Sequence, residues 1–175
     1  MAVGMIKTIN KNRLILLPAI FMMMGAAGSN MKSQDLWHFI SEMSVAVKKI
    51  SIQRLDSAPL SFSLTDSNEY INFYRARRLT LADSTHIDEI ELRLSKAQGE
   101  MAPLMSFQPQ GQCIALTEIQ KRYPQISLTD YPRGKSENEV TSYTTAADAN
   151  GQVITFSFRA IKPDCLSQVV ITAEE

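Results

Sequence analysis

NGQVITFSFRA, residues 150–160, is the stretch that decides the fold. Asn150-Gly151 is the strongest short hairpin signal, because both central residues of the tight turn it favours take φ > 0. Behind it, Val153, Thr155, Ser157 and Arg159 alternate with Ile154, Phe156, Phe158 and Ala160. That period of two is the mark of a strand with unlike faces. Upstream, Val140 to Thr145 is polar but rich in β-branched and aromatic residues, which predicts the strand paired across the turn. Downstream, Lys162-Pro163-Asp164 turns the chain and Leu166 to Thr172 makes a final strand.

Further upstream, Leu116 to Tyr123 reads as a short helix closed by Pro124, since the residue before proline leaves the α region. Gln125 to Asp130 alternates Ile126 and Leu128 and predicts another strand, broken by Tyr131-Pro132-Arg133-Gly134-Lys135. Residues 99–112 (GEMAPLMSFQPQGQ) hold two Gly, two Pro and three Gln and read as a loop or a bridge between halves. Before them, Tyr70–Ala82 and Ile87–Ser95 favour a β-hairpin, although Ile87, Ile90, Leu94 and Ala97 also fit a helix face. Asp66-Ser67-Asn68-Glu69 could be a capping box. Leu60, Phe62 and Leu64 alternate with serines as a half-buried strand. A helix over about 34–49, capped by Ser33 or Ser29, places Leu36, Ile40, Met43 and Val47 on one stripe with Phe39 and Ile50 at its edge. Trp37 is expected in the core, and Lys48 and Lys49 in the last turn. No internal repeat is apparent. The expectation is an α+β fold: an N-terminal helix and hairpin, then a short helix packed on an antiparallel sheet of about four strands.

Residues 1–28 read as an export signal. Lys7, Lys11 and Arg13 precede an apolar run, Leu14 to Gly25, and Ala26-Ala27-Gly28-Ser29 offers small side chains for cleavage near Ser29. The run is short of the roughly 20 apolar residues a membrane span needs; an uncleaved anchor is the alternative. A single domain over 29–175, working in the periplasm, follows. The leader carries three of the 18 basic residues and none of the 18 acidic ones, so the remainder is mildly acidic. That balance argues against nucleic acid as a partner, and no later segment suggests a membrane surface. Two cysteines, Cys113 and Cys165, are most simply a disulfide in an oxidising compartment. Closing a loop of about 50 residues would contribute about 4 kcal/mol in the chain-entropy model. Free thiols or a redox pair are the other readings, and the spacing is not CxxC.

Catalytic groups are scarce. His38 and His86 are the only histidines, neither lies in a metalloprotease or nucleophile motif, and there is no Gly-rich phosphate loop. Asp88, Glu89 and Glu91 read as a solvated strand face. No catalytic residue, metal site or cofactor is expected, and the chain is read as no enzyme. Function then falls to a surface. Tyr and Arg favour binding hot spots, which singles out Asp130, Tyr131, Arg133 and Lys135 on a Pro/Gly-stiffened loop. Tyr70, Phe73, Tyr74, Arg75, Arg77 and Arg78 form a second patch, from which Tyr74 and Arg77 are candidate partner-binding residues.

The arrangement of Cys113 before the helix ending Arg122-Tyr123-Pro124, then Leu128-Thr129-Asp130-Tyr131-Pro132-Arg133-Gly134, then Pro163-Asp164-Cys165-Leu166, resembles small exported immunity proteins of Gram-negative bacteria. These accompany type VI secretion effectors that attack peptidoglycan, including amidases and L,D-transpeptidase-like enzymes. The likeness covers roughly residues 110–172 and the leader. It implies a periplasmic protein that binds a cognate secreted toxin and occludes its cleft without turnover. An envelope accessory role, such as a lysozyme inhibitor or assembly factor, is the alternative.

Overall fold

The computed structural model of the chain describes residues 35–97, 99 and 101–173. The export signal, its cleavage near Ser29 and the caps Ser29 and Ser33 lie outside the described residues. Helix α1, Leu36–Val47, is instead capped by Asp35, whose carboxylate accepts the His38 amide at 2.8 Å. Asp83, from a turn of the sheet, accepts the Leu36 amide at 3.2 Å. Leu36, Phe39, Ile40, Met43 and Val47 bury one stripe, so Phe39 belongs to its centre and not its edge. Lys48 stands at the C-cap and pairs with Asp148. A 3-10 helix, Ile52–Ser57, leads into the sheet.

The strands are β1 Phe62–Ser67, β2 Ile71–Ala76, β3 Leu79–Thr80, β4 His86–Ser95 and β5 Leu104–Gln110. Helix α2, Leu116–Arg122, precedes β6 Ile126–Asp130, β7 Val140–Thr145, β8 Gln152–Arg159 and β9 Leu166–Ala173. They make one nine-stranded antiparallel sheet in the order β1-β2-β4-β5-β9-β8-β7-β6, with the two-residue β3 pairing β4. This overturns the expected sheet of about four strands beside a separate hairpin; the fold is mostly sheet. The cause is β5, which falls in the segment read as a loop. Met105 and Phe107 are fully buried and alternate with Ser106 and Gln108. Pro109 lies just past Phe107, where the pairing with β9 has ended, so its missing N–H removes no bond on that side.

Two turns also differ in detail from expectation. Asn68 starts a hairpin, not a helix: its side chain accepts the amides of Tyr70 and Ile71. At the β7–β8 turn only Gly151 has φ > 0 (75°). Asp148 Oδ1 accepts the amides of Asn150 and Gln152, which makes a longer loop ending in a left-handed glycine.

The topology reads alike from both edges. A helix followed by a four-strand meander occurs twice, as α1 with β1, β2, β4 and β5, then as α2 with β6, β7, β8 and β9. The last strands of the two halves pair antiparallel, Met105 with Ile171 and Phe107 with Val169. The two edge strands even share a tetrapeptide, Ser63-Leu64-Thr65-Asp66 and Ser127-Leu128-Thr129-Asp130. The chain therefore has an internal two-fold arrangement that sequence reading passed over.

Both helices lie on one face. Phe39 of α1 meets Phe107 edge-on at 5.1 Å, and Tyr123 after α2 meets Phe156 at 5.2 Å. Phe107, Val169 and Phe156 are cross-strand partners, so they share that face. The opposite face carries Ser106, Val170, Thr155 and Thr144 in one row, with Thr144–Thr155 and Ser142–Ser157 hydroxyl contacts of 2.9 Å. The Cys113–Cys165 disulfide joins the approach to α2 to the start of β9, with 4.8 Å between the Cα atoms. Phe107 sits where halves and helix meet, so Phe107→Ala should cost about 3–5 kcal/mol in urea unfolding. Thr155→Ala, on the opposite face, should cost less than about 1.5 kcal/mol.

Candidate functional site

The residues from Tyr131 to Glu139 link β6 to β7 at one end of the sheet. Asp130 Oδ1 accepts the Tyr131 amide at 2.9 Å, which turns the chain out of the strand. Gly134 then takes φ = 77°, and a Cβ there would touch nothing, so glycine serves the backbone conformation and not space. Three successive amides follow, those of Arg133, Gly134 and Lys135, and all donate to the Glu139 carboxylate at 2.7, 2.8 and 2.9 Å. The loop is folded around its own anion. These bonds, that from the Lys135 amide foremost, hold the Glu139 carboxyl below its ordinary pKa.

The Glu139 carbonyl accepts the Ala160 amide at 2.9 Å. That bond sets the β6–β7 loop beside the β8–β9 turn, which the disulfide tethers through Cys165 to Cys113 ahead of α2. Tyr131, Leu128 and Ile161 are exposed at this end. Arg133, Lys135, Arg159 and Lys162 are exposed too, and none of them has an ion pair among the described residues. A rigid loop with a free aromatic ring and unpaired cations can bind a protein surface with little ordering cost. Asp130, Tyr131, Arg133 and Lys135 are thus brought together. Ile161 was missed: it sits in a turn, where no hydrophobic period marks it.

The second patch does not join them. β2 and β6 stand six strand steps apart, about 29 Å along the sheet. Tyr74 is only 6% exposed and lies in the core, so its ring offers no surface. Its neighbours are consumed by the acidic cluster across the ladder. Arg75 pairs with Glu89 at 2.8 Å, Arg78 with Asp88 at 2.7 Å, and Glu91 with Arg93 at 2.7 Å. Arg93 also lies 5.5 Å from the Phe73 ring centre. Arg77 is exposed and makes no ion pair among the described residues. The two charged runs of the sequence are therefore mostly each other's partners.

Histidine chemistry finds no constellation. His38 contacts Asp35 at 3.1 Å and His86 contacts Thr80 at 2.9 Å, on separate elements. Among the described residues no three His, Cys, Asp or Glu side chains gather as a metal site. Trp37 is half-buried, with the Arg122 guanidinium 5.3 Å from its ring centre. Burial raises the pKa of the nearby Tyr123 phenol. The Lys48 contact, with the amides of Gln152 and Asn150, lowers Asp148 to about 2; this pair ties α1 to the β7–β8 turn. Among the described residues no helix is long and apolar enough to cross a membrane. No family model, curated protein or solved structure matches the chain.

Because ionised Glu139 is the form the loop binds, its contribution is complete above the ordinary glutamate pKa of about 4.3. It is lost as pH falls through the lowered folded value. The Gly134 amide proton should titrate in NMR with a midpoint below about 4.3; a midpoint at or above that value would contradict the clamp.

Proposed function

We propose that this chain is a stoichiometric binding protein, a periplasmic immunity protein that docks on a secreted peptidoglycan-acting toxin and occludes its cleft. The observation that carries the docking half of this reading is the Glu139 clamp, three backbone amides on one carboxylate. It fixes the backbone from Arg133 to Lys135, close in sequence to the exposed Tyr131, and preordered aromatic and Arg anchors are what interface hot spots use. The nature of the partner rests on the resemblance of residues 110–172 and the leader to exported immunity proteins. A disulfide between the only two cysteines suits an oxidising compartment.

The test is co-expression with a secreted cell-wall hydrolase or transpeptidase encoded beside this gene. Protection from lysis is expected, and lysis that continues with folded protein in the periplasm would reject the reading. Replacing Tyr131 with Ala and Arg133 with Glu should weaken toxin binding by at least about 2 kcal/mol in calorimetry. Thermal unfolding should stay unchanged, because both side chains are exposed.

A further inference from the structure

A cleft of about 660 Å³ lies between α1 and the 3-10 helix that follows it, within the range that small-molecule sites occupy. Its α1 wall is the face made by Glu42, Val45, Ala46 and Lys49, spaced at three and four residues beside the buried stripe. Ile50 and, from the 3-10 helix, Arg54 also line it. Ser57 Oγ donates to the Arg54 carbonyl at 2.8 Å, which holds that turn. The middle of the cleft is apolar: Val45, 53% exposed, is a large hydrophobic side chain that the core leaves out.

Polar groups stand at its two ends. Glu42 Oε2 is shut off from water and has no hydrogen-bond partner among the described residues. That state costs free energy until a donor reaches the oxygen. His38, one turn earlier, contacts Asp35 instead, at 3.1 Å. The last torsion of a glutamate side chain is soft, so the carboxylate can turn the orphaned oxygen into the cleft. Lys49 follows Glu42 by seven residues, about 10 Å along the helix axis. Neither Lys49 nor Arg54 makes an ion pair among the described residues. An acceptor pole and a cationic pole thus flank an apolar strip.

We propose that this cleft binds a short peptide with both ends free. Its ammonium meets Glu42, its carboxylate meets Lys49 and Arg54, and an apolar side chain between them rests on Val45. An extended chain advances about 3.3 Å per residue, so about three residues span the two poles. The planar fork of Arg54 suits a terminal carboxylate. A fatty anion would satisfy the cations but leave Glu42 without a donor. The site is separate from the docking loop: Lys48 ties this end of α1 to the β7–β8 turn, whereas the docking loop adjoins the other end of β7.

The measurement is an NMR titration of the full chain with the tripeptide Ala-Leu-Ala. Amide signals of residues 42–57 should shift saturably. N-acetylation and C-amidation of the peptide should each weaken binding by about tenfold or more. Glu42→Gln should make the acetylated and free peptides bind alike while keeping the loss on amidation. The Lys49→Gln, Arg54→Gln double variant should do the reverse. A merely structural role for these side chains would not produce that crossed pattern. Equal binding of all three peptides, variants that change both responses alike, tighter binding of decanoate than of the free peptide, or no saturable shift would overturn the proposal.

Discussion

The pairing of β5 with β9 is the joint on which the molecule depends. Each half is a local meander whose strands meet neighbours close in sequence, but Met105, Ser106 and Phe107 pair with Ile171, Val170 and Val169, more than sixty residues away. Such a contact is expensive in chain entropy, since the loop must close before any burial rewards it. The reward is concentrated at the joint. Met105, Phe107, Val169 and Ile171 are all fully buried, and α1 lies directly over β5 and β9. The first helix of the chain thus covers the seam between the halves.

Three devices keep that helix in register with the sheet. At its start, the Asp83 carboxylate reaches over from the β3–β4 turn to an amide that the helix itself cannot satisfy. In its middle, Ser44 meets the Gln152 side chain of β8. At its end, Lys48 meets Asp148. The contacts bring both halves of the chain to one helix, so its placement reports on the whole assembly. The disulfide acts elsewhere, stapling α2 to the turn beside the docking loop.

Much of this was legible in the residues, and what was not has identifiable reasons. The alternation of Val153 to Arg159 marked β8, and the stripe from Leu36 to Val47 marked α1. Strand β5 was hidden because Pro103, Pro109 and Gly111 flank a period of two that is only four residues long. Tyr74 read as a surface tyrosine, since a pattern assigns a residue to a face but cannot say which face is covered. The Arg75 and Arg78 partners were out of reach for a similar reason: ion pairs depend on cross-strand register, which β-bulges shift. The docking loop was visible as Tyr131 to Lys135, but its organiser, Glu139, makes side-chain-to-backbone bonds that no spacing rule marks. The duplicated architecture survives in the sequence as one tetrapeptide, because two meanders need the same hydrophobic pattern and not the same residues.

Each outer strand of the sheet also carries a bulge, between Leu64 and Asp66 on one side and between Leu128 and Asp130 on the other. In both, the extra threonine turns its hydroxyl onto a carbonyl of the neighbouring strand, Thr65 to Phe73 at 3.2 Å and Thr129 to Ser142 at 3.3 Å. An aspartate then stands beside the kink. A foreign strand seeking to extend the ladder meets a broken hydrogen-bond rhythm and a negative charge at either margin. Both margins of the nine-stranded sheet thus carry features that disfavour a further strand.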